Sequence, residues 1–217
     1  NINWMKVHEQ EMHSPLFQNI ENLKPVIPSG NSDSASLDNV FELLTTSGHS
    51  APLAKLMLIP DAWSKKSKVL PKEHLQLFNF LNSSMEPWDG PAAIAGTDNE
   101  WVIVASDRNG LRPMRYTVTN DKLLFAGSET GMIKINEKKV IEKGRLGPGE
   151  ILGIRIEKGK IFRNIEIKNY LAKEYKHFNN QIIDLDKKFP ILNEKSLFEG
   201  NDLKERQYLF GYSLEDL

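Results

Sequence analysis

The sequence predicts an α+β domain in which helices cover an antiparallel sheet, and three observations carry that prediction. Between Met85 and Gly127, turn signals cut the chain into four β-rich runs at roughly ten-residue spacing. Ahead of that stretch, apolar residues recur at helical spacing. Behind it, a further pair of β-rich runs is joined by Lys158-Gly159.

The four runs are Ala92–Thr97, Trp101–Ser106, Met114–Thr119 and Lys122–Gly127. Asp98-Asn99, Asn109-Gly110 and Asn120-Asp121 separate them, and such pairs tolerate the positive φ of tight reversals. Taken as neighbours, they form a four-strand meander. Trp101-Val-Ile-Val-Ala105 is continuously apolar and reads as buried on both faces.

Ser32, Asp33 and Ser34 are helix N-cap residue types. Leu37, Val40, Phe41 and Leu44 follow at i, i+3, i+4 and i+7, and Gly48 stops that helix. A second helix runs from near Pro52 to before Pro60, with an apolar face wide enough for deep burial. A third spans about Pro71 to Ser83. Trp4–His13 reads as a short helix, and prolines make the residues up to Ser29 read as extended or looped. Ser128–Gly149 reads as loop, including the charged run Glu137–Lys143. Glu150–Ile156 and Lys160–Arg163 form a hairpin, and Glu166–Tyr175 a short helix. Residues 1–175 thus form one domain. Residues 176–217 are a polar linker and the helical start of a further domain.

Composition narrows the chemistry. With 40% hydrophobic residues, 217 residues can bury a true core. A net charge of −1 gives no electrostatic draw toward nucleic acid or membrane surfaces. No apolar run is long enough to span a bilayer, and no signal peptide is visible. The absence of cysteine removes disulfides, thiolate metal sites, iron–sulfur ligation and a cysteine nucleophile. The five histidines are scattered without metal-ligand spacing, and Gly144–Gly149 lacks the lysine of a phosphate loop. Ser47-Gly48-His49-Ser50 sets a serine beside a histidine, but adjacency in sequence does not make a triad.

Two clusters remain open. Asp33 serves either as a cap for its helix or as a rigid carboxylate for a ligand ammonium. Asp107-Arg-Asn-Gly-Leu-Arg-Pro113 reads as a loop stapled by Asp–Arg ion pairs, or as a pocket wall at the sheet edge. Glu86–Pro91 reads as a rigid turn with a packed Trp88, or as a pocket wall.

Read in order, the motif blocks resemble one family closely. They are Asn3-Trp-Met5, Ser32–Asn39, Leu58-Ile-Pro-Asp-Ala-Trp63, Met85–Ala92, Asp107–Pro113, Ser128-Glu129 and Lys143–Gly149. Together they resemble the glutaminase domain of glutamate synthase large chains, over roughly Asn1 to Tyr175. The resemblance implies a class II amidotransferase with the N-terminal-nucleophile fold, a four-layer αββα sandwich, of which this chain holds part. It implies an N-terminal cysteine that attacks the glutamine amide, an Asn-Gly oxyanion hole, and released ammonia that travels to 2-oxoglutarate at a flavin. FMN and an iron–sulfur cluster would lie in other domains, and this chain would bind no cofactor or metal. The implied partners are glutamine, the remainder of the synthase chain and a small subunit. The implied compartment is the cytoplasm or a plastid.

The sequence departs from the family at the reaction centre. It contains no cysteine and opens on Asn1 rather than Met. It therefore reads as a fragment whose nucleophile and oxyanion hole precede Asn1, inactive alone as a glutaminase and open to self-association through bare strand edges. Asp33 matches the family aspartate that holds the glutamine α-ammonium, with Ser32 and Ser34 shaping that contact. The alternative is a non-catalytic module that binds glutamine or docks to a partner.

Overall fold

The computed structural model describes residues 9, 16, 17, 19–61, 70–176 and 200–211. The chain divides into two compact units, Asn1–Ile182 and Ile183–Leu217. The expected helix over Trp4–His13 and the linker residues 177–199 lie outside the described residues, apart from the buried Glu9. In the second unit, the helix Gly200–Leu209 ends with Tyr208, Leu209 and Phe210 largely exposed.

Among the described residues of the first unit, a short 3-10 turn, Ile20–Leu23, precedes three helices, α1 (Asp33–Thr46), α2 (Ala51–Leu58) and α3 (Lys72–Ser84). Strands β1 (Ala93–Thr97), β2 (Trp101–Ser106), β3 (Met114–Thr119) and β4 (Leu124–Gly127) follow. Then come β5 (Val140–Leu146), β6 (Ile151–Arg155), β7 (Lys160–Phe162) and helix α4 (Asn164–Glu174). Each helix expected in the described residues is present within a residue or two of its expected bounds.

The strands form two antiparallel sheets, not one meander. The first has the order β1-β2-β6-β7 and the second β4-β3-β5. The β1–β2 and β3–β4 hairpins fall where the turn signals put them, but β2 and β3 do not pair. Val104 of β2 faces Leu152 of β6 in the register, and Tyr116 of β3 pairs Gly144 of β5. The break falls in the Asp107–Pro113 loop, which carries the chain from one sheet to the other. The Glu137–Lys143 run, expected as loop, supplies half of β5. Its alternation is hidden because the strand's two faces carry mostly charged or half-exposed residues. The β6–β7 hairpin turns at Lys158-Gly159 as expected, with Gly159 at φ +55°.

Pleating sorts the strand residues between two cores. Trp101, Ile103, Ala105 and Ile151 point toward the helices and join Leu56, Leu58, Phe78, Leu81, Ile167 and Leu171 in the larger core. The residues between them, Val104 and Leu152, point the other way and meet Met114 and Leu146 of the second sheet. The described part of the unit is therefore a helix–sheet–sheet sandwich, an α+β fold. The β2 run is buried as read from its sequence, except at Val102, which is 41% exposed beyond the reach of the second sheet.

Candidate functional site

The helices and strands fix which end of the sandwich carries which loops. The amide of Ala51, at the start of α2, donates to Asp98 in the β1–β2 turn. The last turn of α2 lies at the opposite end, where the Leu58 carbonyl accepts from the Trp88 amide at 2.6 Å. A short turn, 47–50, joins α1 to α2 in antiparallel fashion, so Asp33 stands at the same end as Trp88. That end also gathers the start of β1, the end of β2, the start of β3 and the turn between β5 and β6. The blocks Met85–Ala92, Asp107–Pro113, Ser128-Glu129 and the Gly147–Gly149 end of the last block thus converge on it, although they are spread over 65 residues of sequence.

Asp33 is the first residue of α1 and is exposed. It does not cap the helix. Ser32 does, accepting from the Ala35 amide at 3.2 Å, and the Ser34 hydroxyl lies 3.2 Å from that of Ser32. The Asp33 carboxylate therefore sits at the positive end of the helix dipole with its oxygens directed to solvent and engaged by no described residue.

Asp107 closes the loop that follows β2, but not through the arginines. Its carboxylate is 1% exposed and lies within a ring of backbone amides. Oδ1 accepts from Asn109 at 3.1 Å and Leu111 at 2.9 Å; Oδ2 accepts from Arg112 at 2.8 Å and Ala92 at 3.1 Å. Burial alone would push this carboxyl up. The four amides, Arg112 and Leu111 foremost, outweigh burial and hold it below the usual carboxylate range. No ion pair joins Asp107 to Arg108 or Arg112 among the described residues, so the expected Asp–Arg staple is replaced by amide bonding. Trp88 packs as expected, 7% exposed, with its indole folded over Gly90.

Beneath this end lies a charged cluster that the sequence reading missed. Lys55 and Lys168 are 1% and 2% exposed. Lys168 donates to Asp61, and Lys55 donates to the Gly149 carbonyl at 2.6 Å. Burial pulls the Lys55 amine down to about 8, opposed by Asp61 and reinforced by Lys168. The second oxygen of Asp61 is buried with no partner among the described residues. Gly149 has φ +67°, and a Cβ there would lie 2.8 Å from Asp61 Cα, so the backbone approaches Asp61 as only glycine permits. Lys55 was legible in principle: it interrupts the otherwise apolar run from Ala51 to Pro60.

His49 closes the end of α1 rather than joining a serine, its Nδ1–H reaching the Leu44 carbonyl at 3.2 Å. No group of three or more histidine or acidic residues that could hold a metal occurs among the described residues. None of the described helices is long and apolar enough to cross a membrane. A separate cleft of about 200 Å³ lies on the outer face of the second sheet, between Arg115, Thr117 and Phe125 and the segment around Met132.

A mixed fold of helices and two antiparallel sheets, with its family motifs gathered at one end, is that of the N-terminal-nucleophile amidotransferases. The profile of the family "Glutamine amidotransferases class-II" matches residues 1–180. The chain belongs to that family. Relatives within it include glutamate synthases. The chain is 47% identical, over its whole length, to the "Glutamate synthase [NADPH] large chain" of Azospirillum brasilense, of which it covers 15%. It is 38% identical to the large chain of Bacillus subtilis (strain 168) and 35% to "Ferredoxin-dependent glutamate synthase 2, chloroplastic" of Arabidopsis thaliana, covering 14% of each. The chain thus spans about a seventh of these relatives.

Proposed function

We propose that this chain is part of the glutaminase domain of a glutamate synthase large chain, and that Asp33 receives the α-ammonium of glutamine. One observation carries the reading: Asp33 is an exposed, unengaged carboxylate at the end where the motif loops converge, while Ser32 takes over the capping role. A free carboxylate beside fixed backbone suits an ammonium, because a charge-assisted hydrogen bond needs an acceptor not already committed. Ser32 and Ser34 set the backbone on which Asp33 stands.

In the parent enzyme a thiolate attacks the glutamine amide, ammonia leaves, and water releases glutamate from the acyl-enzyme. In another domain the ammonia would condense with 2-oxoglutarate, losing water, and FMN and an iron–sulfur cluster would supply the two electrons that reduce the product to glutamate. None of that chemistry falls to these residues. The chain has no cysteine, so it offers neither the nucleophile nor a thiolate ligand for a cluster. Alone, it is inactive as a glutaminase; ammonia release from glutamine by this polypeptide would refute that. The same lack of cysteine supports a second reading, a non-catalytic module that binds glutamine or a partner.

The test is glutamine kinetics in the full-length parent chain. Asp33→Ala raises KM for glutamine at least tenfold and Asp33→Asn less, since a hydrogen bond to a charged group contributes about 1.5–3 kcal/mol. An unchanged KM in Asp33→Ala removes the ammonium-binding role.

A further inference from the structure

We propose that Lys55 is a positioning residue for the glutamine-facing end of the domain, acting from beneath on the loop Asp107–Pro113. This rests on the reading of that end given above. The link is continuous. Lys55 Nζ donates to the Gly149 carbonyl at 2.6 Å, and the Gly149 amide donates to the Asp107 carbonyl at 2.8 Å. The Asp107 amide donates in turn to the Ala92 carbonyl at 3.0 Å, and its carboxylate gathers the amides of Asn109, Leu111, Arg112 and Ala92. Gly110, at φ +66°, packs against Pro148, so the two loops also touch. One ammonium on α2 thereby sets the height of two loops at the end where Asp33 stands.

The position argues against a merely stabilising role. A buried ammonium is costly, and apolar replacement of buried charges is often neutral or stabilising. The neighbours of Lys55 along α2 are Ala54 and Leu56, both fully buried, so an apolar side chain would suit the site for packing alone. What an apolar residue cannot supply is a donor to Gly149.

The experiment compares Lys55→Met, Lys55→Gln and Asp33→Ala in the full-length parent chain, by peptide-resolved hydrogen exchange, thermal melting and glutamine kinetics. In Lys55→Met, exchange speeds up about tenfold, one hydrogen bond's worth, in peptides covering 107–113 and 147–150. Peptides of α3 and α4 and the melting midpoint hold. KM for glutamine rises with kcat held, and Lys55→Gln, which keeps a donor, recovers part of the protection. Unchanged exchange in the two loops overturns the link. Loss of protection everywhere, or failure of both Lys55 variants to fold, makes Lys55 a stabilising group and overturns the positioning role. Local loosening with KM unchanged, while Asp33→Ala raises KM, overturns it too and leaves the glutamine reading standing. If Asp33→Ala leaves KM unchanged as well, the glutamine reading falls and takes the positioning role with it; the exchange result still decides whether the link exists.

Discussion

Asp107→Asn isolates one carboxylate oxygen and permits a worked magnitude. The side chain keeps its shape, but one oxygen becomes an NH₂. Each oxygen accepts two backbone amides, Asn109 with Leu111 and Ala92 with Arg112. Either orientation of the amide therefore leaves two N–H groups facing a donor. Each buried N–H left unsatisfied costs about 1–3 kcal/mol. The Asn109 and Leu111 side is the more exposed, so the variant turns its NH₂ there and water relieves part of the loss. The expected destabilisation at pH 7 is then about 2 kcal/mol, two N–H groups each at the low end of that range. The sign with pH follows from the lowered Asp107 carboxyl. A group held below its unfolded value stabilises the fold above that unfolded value and loses the contribution as pH falls through the folded one. Asparagine cannot titrate, so the gap between the two proteins shrinks below about pH 4. Urea unfolding at pH 7 and at successively lower pH measures it. A gap under about 0.5 kcal/mol at pH 7, the scatter of ordinary surface substitutions, would refute the amide-ring account. A gap unchanged down to pH 3 would do the same.

Three further outcomes follow. Asp98→Ala removes the acceptor for Ala51 at the start of α2, where Ser50 makes no capping bond, and for Trp101 and Glu100; chemical denaturation should show about 1–2 kcal/mol lost. Gly144→Ala places a methyl 2.3 Å from the Tyr116 ring and displaces its hydroxyl from Glu142 and Arg163, costing about 1–3 kcal/mol, whereas Tyr116→Phe with Gly144 intact costs less. Lys55 binds its proton less tightly folded, at about 8, than unfolded at 10.5, so stability rises between those values by up to about 3 kcal/mol. Asp61, Lys168, Asp107 and Glu150 face Lys55 there, and Lys55→Met should abolish that rise in unfolding titrations.

The helices were legible because their information is local. The spacing of Leu37, Val40 and Leu44 and the hydroxyl of Ser32 define α1 without reference to any distant residue. Hairpins were legible for the same reason, since Asn99 and Lys158-Gly159 announce their reversals within a few residues. Which strands belong to which of the two sheets was not. Whether β2 meets β3 or β6 depends on which faces of Val104, Leu152, Met114 and Leu146 come together, and these lie up to 48 residues apart. At the site, the motif strings were visible but their bonding was not. Asp107 with two nearby arginines looks like an ion pair on paper. In the fold, the chain turns around the carboxylate, and the amides of the turn reach it before the guanidinium groups do.

The two ends of the sandwich are closed by different means, and the difference supports placing function at one of them. At the end away from Asp33, the reversals at Asn99, at Lys122 and at Gly159 use positive φ and exposed residues. Apart from the half-buried Asp98, which holds the start of α2, these turns carry no buried charge. At the Asp33 end, Asp107 and Lys55 are buried, Glu150 accepts the Gly147 amide at 2.7 Å, and Gly149 is pressed against Asp61. Buried polar groups are costly unless their partners are fixed, and once fixed they impose a single backbone geometry. A sandwich that needed only stability could close both ends with exposed turns. One end instead spends buried charge to hold loops within narrow limits, as a site that must present backbone and carboxylate to a small polar molecule requires.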